Sequence, residues 1–337
     1  MTEKYDDALI RDNFQDTGSI PTKGTPYASP DIIPFGSGLL SFDRMVSTYS
    51  GPDLAKPVTN GASNNIYIRA KNISTHKVQG RVTLFWARPS LLLTPDQWNL
   101  VAPPDSSQST VPLVNVDGKE EIAPGQICSG APAFNWQGQS GEELHYCLVA
   151  AVSTPLHPLG IPQRFDTNAD FSRWVSETPQ VAWRNVILVP GKTNTFSQAL
   201  TIGNLDGQAC EFQFLMTGKN VPTENSVQVQ CADHRCSFEW TGSLPRPDSR
   251  GNQSTAFTQV IPGRLETSAV CTLTVGVPFP PDFAFGIQLW KPPTSREDMS
   301  ATRPAELAPE SLTGPTPLMI PIGECFFATE APREGIH

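Results

Sequence analysis

The chain has 337 residues, with 33 prolines, 25 glycines and only 17% charged side chains. Its formal net charge of −9 argues against a phosphate-binding surface, because nucleic-acid binders concentrate Lys and Arg to displace counterions; no dense basic run is present. The length exceeds one ordinary domain, so two of roughly 120–150 residues are expected, and abundant turn residues among Val, Ile, Thr, Phe and Trp favour many short strands over long helices.

The opening MTEKYDDALIRDNF lacks the basic-then-apolar order of a secretory signal, and the chain has no uncharged apolar run of about 18 residues. No membrane span is expected, and the protein is expected in the cytoplasm at synthesis, with a non-classical export route as the alternative. Seven cysteines without a signal point to synthesis as free thiols in a reducing compartment. Residues 1–28, acidic and then turn-rich (DTGSIPTKGTPYASP), are expected to form a flexible arm. Asp31–Phe35 reads as a short strand confined to an edge by Pro34.

Asn64–Ala87 carries the strongest pattern. Ile66, Ile68 and Ala70 share one strand face and Tyr67, Arg69 and Lys71 the other; Val82, Leu84 and Trp86 repeat the inward set after a polar connection, as a half-buried antiparallel pair requires. Ser90–Trp98 reads as a short helix or loop beginning at Thr94-Pro95-Asp96, and Val111–Val116 and Glu121–Cys128 as short strands. Leu144–Val152 is a near-continuous apolar run, as in a strand buried on both faces. These elements place a first sandwich at 29–160. A linker at 161–180 holds a capped helical turn, with Thr167 followed by Asp170 and with Phe171, Trp174 and Val175 on one face. Eight further runs at 181–291 make a second sandwich. The remainder, 292–337, is a Pro-rich extended tail whose Leu318–Ala328 stretch adds a final edge strand. The expected fold is all-β: two tandem immunoglobulin-like β-sandwich domains with a short helical linker and extended termini.

SPDII at Ser29–Ile33, NNIYIRAKN at Asn64–Asn72, VTLFWARPS at Val82–Ser90, EIAPGQIC at Glu121–Cys128 and ELHYCLVAAV at Glu143–Val152 resemble bacterial immunoglobulin-like modules of the CARDB type, and VAWRNVILV at Val181–Val189 resembles the opening of a following sandwich. The resemblance covers about Ser29–Trp290. It implies recognition, spacing or assembly rather than a reaction. One departure concerns the antibody-like pattern, in which a Tyr lies two residues before the strand-F cysteine and a second cysteine faces it. Here His145 holds that position before Cys147, Tyr146 is shifted by one, and Asn65–Asn72 has no cysteine, which excludes that inter-sheet disulfide.

The densest reactive cluster is CADHRC, in which Cys231, Asp233, His234 and Cys236 offer thiolate, carboxylate and imidazole donors to a soft or borderline metal. The competing reading is a hairpin loop that sets Cys231 and Cys236 opposite one another, free or disulfide-bonded. Cys210 and Cys271 lie in alternating strands, as core thiols or as an inter-sheet disulfide. His145 shares a strand face with Cys147, a spacing that packing alone explains. No G-x-S-x-G elbow occurs, and Gly36-Ser-Gly38 lacks a phosphate-loop lysine; no cofactor is expected. Trp98, Trp136, Trp240 and Trp290 fall near strand ends, where loops build binding surfaces, against the alternative that they plug the sandwich ends.

The expectation is a non-enzymatic binding or assembly module that recognises a protein or glycan through sandwich-end loops or edge strands, with no nucleic-acid partner and with oligomeric state left open. The alternatives are a metal-dependent enzyme using the Cys231–Cys236 loop and a bacterial effector or toxin exported without a classical signal.

Overall fold

The structure, a computed structural model, describes residues 3–329 apart from 57, 59–60, 105–107, 138–145, 189–191, 295–297 and 305–317. The N-terminal half contains strands β1 (Glu3–Lys4), β2 (Ala8–Leu9), β3 (Ser19–Ile20) and β4 (Ile32–Pro34), helix α1 (Phe42–Ser47), and strands β5 (Asn64–Asn72), β6 (Arg81–Ala87), β7 (Asn99–Leu100), β8 (Val111–Val114), β9 (Ile127–Gly130), β10 (Phe134–Trp136) and β11 (Cys147–Ser153). Helix α2 (Asn168–Glu177) and β12 (Val181–Arg184) follow. One sheet runs β10-β5-β9-β8-β6-β11-β12, with β2 and β4 on β5 and β7 on β6. Because β8 pairs both β9 and β6, the sheet doubles over. Its two layers enclose Ile66, Ile68, Val82, Leu84, Val111, Cys128, Leu148, Ala150 and Val152, with Trp86 half-buried at the margin.

The second half is a sandwich. Its strands are β13 (Val186–Leu188), β14 (Thr195–Asn204), β15 (Cys210–Lys219), β16 (Asn225–Cys231), β17 (Phe238–Gly242), β18 (Asn252–Ile261), β19 (Leu265–Val275), β20 (Ala284–Lys291), β21 (Arg303–Pro304) and β22 (Leu318–Ala328). They form a sheet β13-β22-β20-β15-β18, with β21 on β22, facing a sheet β14-β19-β16-β17. The protein is therefore all-β, built from β-sandwich layers. Strand β11 lies between two cores: Leu148, Ala150 and Val152 belong to the first, while Cys147, Val149 and Ala151 join the core that continues through the second sandwich. Its unbroken apolar sequence follows from that double burial.

Three expectations are corrected. Tyr67 and Arg69, expected on a polar outer face, are 8% and 1% exposed, because residues 27–54 cover that side of β5. There Asp31 accepts hydrogen bonds from Arg11 and Arg69, and Arg69 also donates to the Met45 carbonyl at 2.8 Å. Second, the segment expected as a flexible arm is packed down: β2 pairs with β5, and buried Asp7 accepts from Thr154 and lies 2.7 Å from His157 Nδ1. Third, Leu318–Ala328 is an interior strand, antiparallel to β20 and parallel to β13. Both of its sides are therefore paired, and its apolar residues Ile320, Ile322, Cys325 and Phe327 fill the core.

Candidate functional site

Helix α2 carries two neighbouring features on the surface. Its start is fixed by Thr167, whose hydroxyl accepts from the Asp170 N–H at 3.1 Å, a standard N-cap that satisfies an otherwise orphan donor. Phe171 and Val175 then fall on the buried face, and Trp174 sits at its margin, half-buried. Trp174 meets Phe165 at 5.3 Å between ring centroids and Trp98 at 6.1 Å; Trp98 in turn meets Phe85 at 5.4 Å. All four rings are half-buried. Beneath them Trp183 is fully buried, edge-on to Trp174 at 5.7 Å, with its indole N–H lacking a hydrogen-bond acceptor among the described residues. Trp98 is held in place because its own N–H donates to the Leu93 carbonyl at 3.2 Å, while Gln97 bonds the Leu92 carbonyl at 2.7 Å. The result is a contiguous aromatic surface with fixed rings.

On the other side of α2 lies a polar cleft of about 310 Å³, walled by Asp170, Arg173, Asp206, Cys210, Lys291 and Asp298 among others. The Lys291 side chain is 1% exposed, with its ammonium 2.5 Å from Asp206 and 3.4 Å from Asp298. Burial alone would push its pKa down, but the hydrogen bond to Asp206 and the charges of Asp206 and Asp298 outweigh this and raise it, so Lys291 stays protonated and is no general base. The Cys210 thiol is pushed up to about 11, first by burial and then by Asp206 and Asp298 against the opposing Lys291. A thiol so protonated is a poor nucleophile.

The other cysteines are buried and free; burial pushes Cys128, Cys147 and Cys271 up to about 12. At pH 8, iodoacetamide should therefore label native Cys210 about 100-fold more slowly than a free cysteine, in proportion to its thiolate fraction. The other six should be labelled only after unfolding. Adduct counting by mass spectrometry checks both expectations.

The residues singled out in the sequence are dispersed. Cys231 and Cys236 are buried at 1% and 5% exposure and near enough for their thiols to interact. Asp233 is taken up by Arg235 at 2.6 Å and Thr267 at 2.8 Å, which hold its carboxyl well below the usual range, and the His234 side chain is 93% exposed. Among the described residues no three His, Cys, Asp or Glu side chains gather as a metal-binding group. Cys210 faces the cleft, whereas Cys271 lies in the core with Cys147 and Cys325; the two are not brought together. His145 lies outside the described residues.

Of the tryptophans, Trp136 stacks with Trp86 at 5.9 Å, Trp240 lies on Phe257 at 4.7 Å, covering the open side between β17 and β18, and Trp290 donates to Gln288. Only Trp98 belongs to the α2 surface. Sequence reading placed Trp174 on an apolar helix face and missed the cleft altogether, because Asp206, Lys291 and Asp298 come from a turn, a strand end and a 3₁₀ turn with no shared periodicity.

No protein-family model matches the chain, and no curated protein sequence matches it. Solved structures similar to it include a red sea bream transglutaminase (9% identity, TM-score 0.20, 70% of this chain). Others are the collagen adhesin of S. aureus (8%, TM-score 0.18, 69% of this chain and 82% of that one) and an anti-sigma factor domain-containing protein (11%, TM-score 0.18, 86% and 94%). The chain spans 28% of the transglutaminase. At these identities and scores the likenesses do not bear on function. Among the described residues no helix is long and apolar enough to cross a membrane.

Proposed function

We propose that the protein is a non-enzymatic binding module that engages a protein or glycan partner through the surface around α2, in keeping with the recognition role that the CARDB-type resemblance implies. The observation that carries this reading is the contiguous set of half-buried rings Phe85, Trp98, Phe165 and Trp174. Rigid aromatic rings offer large contact area at little entropic cost, and Trp is enriched among the few residues that carry most of an interface's binding energy. Their packing leaves them pre-organised, so a partner gains their burial without first ordering them.

The test is to probe glycan and extended-peptide libraries with the full chain and with Trp98→Ala and Trp174→Ala. Bound ligands should lose about tenfold or more in affinity in each variant. Circular dichroism confirms folding, and Phe165→Ser serves as a third variant if either tryptophan change unfolds the chain. Ligands held equally well by all folded variants, or no ligand in either library, would refute the reading.

A further inference from the structure

We infer that two copies of the chain pair through strand β18, antiparallel about Ala256, and join their second sandwiches into one continuous sheet. Strand β18 ends the sheet β13-β22-β20-β15-β18, and among the described residues it pairs with β15 alone. Which of its backbone groups stay open follows from the ladder. The Asn220 N–H, just past the end of β15, donates to the Gly251 carbonyl at 3.1 Å, and in an antiparallel pair such bonded residues recur at every second position. Gln253, Thr255, Phe257 and Gln259 therefore bond β15, while Asn252, Ser254, Ala256, Thr258 and Val260 turn their N–H and C=O groups away from it. Contacts at the two ends agree with this parity. The Asn252 carbonyl accepts from the Asp248 N–H at 2.9 Å, and the Val260 carbonyl accepts from Cys236 Sγ at 3.7 Å and Gln259 Nε2 at 3.1 Å. Between those ends, no hydrogen bond among the described residues takes the outward backbone groups of Ser254, Ala256 and Thr258. Trp240 closes the gap between the sheets over Phe257, but its strand belongs to the facing sheet and bonds none of them.

Long sheet edges are ordinarily blunted by charge or proline, which discourage pairing with another chain. The sequence of β18, NQSTAFTQVI, has neither. Its open residues are also self-complementary. With Ala256 on a two-fold axis, Ala256 meets its own counterpart and Ser254 meets Thr258 of the second copy, so each open N–H faces an open carbonyl, as an isologous contact requires. The hydroxyls of Ser254 and Thr258 then stand across from one another, a favourable cross-strand pair. Charges at the strand ends fit the same register. Glu211 lies opposite Val260 on β15; Val260 would face Asn252 of the second copy, whose Arg250 is close by in sequence. Glu211 and Arg250 are both exposed, and neither joins an ion pair among those of the described residues. Arg264, beyond the other end of β18, comes level with Asp248 of the second copy. Acid thus meets base at both ends with no charge between them, so the net charge of −9 on each copy does not oppose contact along this strip. An unrelated extended peptide would satisfy the backbone but leave these end charges unmatched, which selects a second copy as the occupant.

The experiment is sedimentation velocity on the full chain over an about hundredfold range of concentration. The native protein should pass from monomer to dimer. Ala256→Pro should remain monomeric throughout, because proline removes an outward N–H that the dimer needs while sparing the ladder with β15; circular dichroism checks its fold. Arg250→Glu, which sets like charges beside Glu211 twice over, should weaken the dimer about tenfold or more. Adding Glu211→Arg to that variant should restore it. The charge variants leave the backbone of β18 untouched, so they decide the matter even if the proline variant unfolds. A native chain that stays monomeric over the whole range would overturn the inference, as would a dimer that survives in folded Ala256→Pro or a double charge reversal no tighter than the single one. Binding of a fluorescent, uncharged extended peptide of unrelated sequence by a chain that stays monomeric would make the edge a peptide site and overturn it as well.

Discussion

Asp31→Ala should lower the unfolding free energy by about 4 kcal/mol, the range found when one member of a buried ion pair is removed. Asp31 is 0% exposed. It accepts from Arg11 Nε at 2.8 Å and Nη2 at 2.7 Å, and from Arg69 Nε at 2.8 Å. Without it, two buried guanidiniums face each other with no counter-charge. Neither can reach water easily: the Tyr49 ring lies 3.6 Å from the Arg11 guanidinium, and Arg69 is held by the Met45 and Pro30 carbonyls. Burial by itself would raise the Asp31 pKa, but the two guanidiniums outweigh it and the value falls below that of a free aspartate. The linkage follows from that sign. The unfolded carboxyl binds its proton more readily than the folded one, so this contribution is complete above the free Asp value and is lost as pH drops through the folded value. Urea midpoints at pH 7 and pH 3 measure both expectations; a loss under about 1 kcal/mol at pH 7 would show the cluster to be dispensable.

The second large effect has the opposite sign. Glu324 is 4% exposed and bonded to Thr25 and Gln288, with no ion-pair partner among the described residues. Burial pushes it up to about 7 from an ordinary 4.5, only partly offset by those hydrogen bonds. Here the folded carboxyl binds its proton more tightly than the unfolded one. Its contribution is complete below about pH 4.5 and lost as pH rises through about 7, for a total of about 3 kcal/mol. Glu324→Gln should remove that slope. The glutamine amide can accept from Gln288 with its oxygen and donate to the Thr25 hydroxyl, reproducing the neutral acid. Stability of the native protein and the variant, compared at pH 5 and pH 8, should differ in slope by about this amount; parallel profiles would show that Glu324 titrates normally.

The contrast between these two carboxylates explains what the sequence could and could not convey. Alternation in Asn64–Ala87 located the first core, since burial of one strand face writes itself as period two; Ile66, Ile68, Val82 and Leu84 are all in it. The same alternation assigned Arg69 to solvent, because nothing local signals that a segment 38 residues upstream will fold over it and supply Asp31. Glu324 was hidden in a similar way, one acidic residue in an apolar run whose hydrogen bonds come from Thr25 and Gln288. CADHRC misled in the other direction: density along the chain is not convergence in space, and a hairpin turn sends His234 outward while both cysteines turn in. The α2 surface was legible only in part. Trp98 and Trp174 each stood out by type, but their meeting depends on how the helix docks against β22 and sets Trp174 on Trp183 of β12, which no spacing in the sequence encodes.

The interior position of β22 has a consequence for biosynthesis. A ribosome releases β13 long before β22, yet β22 is the strand that joins β13 to β20 and bonds the Tyr27 hydroxyl through the Ile322 carbonyl. While residues 318–328 are still being made, the doubled N-terminal sheet can pair its own strands, but the second sandwich lacks a central strand and the core around Trp183 and Val149 stays open. Non-local pairing of this kind is slow and leaves apolar surface exposed in the meantime. The nascent chain thus keeps apolar surface of the second sandwich exposed until β22 emerges, and β22 then ties residues 25–27 to the second sheet.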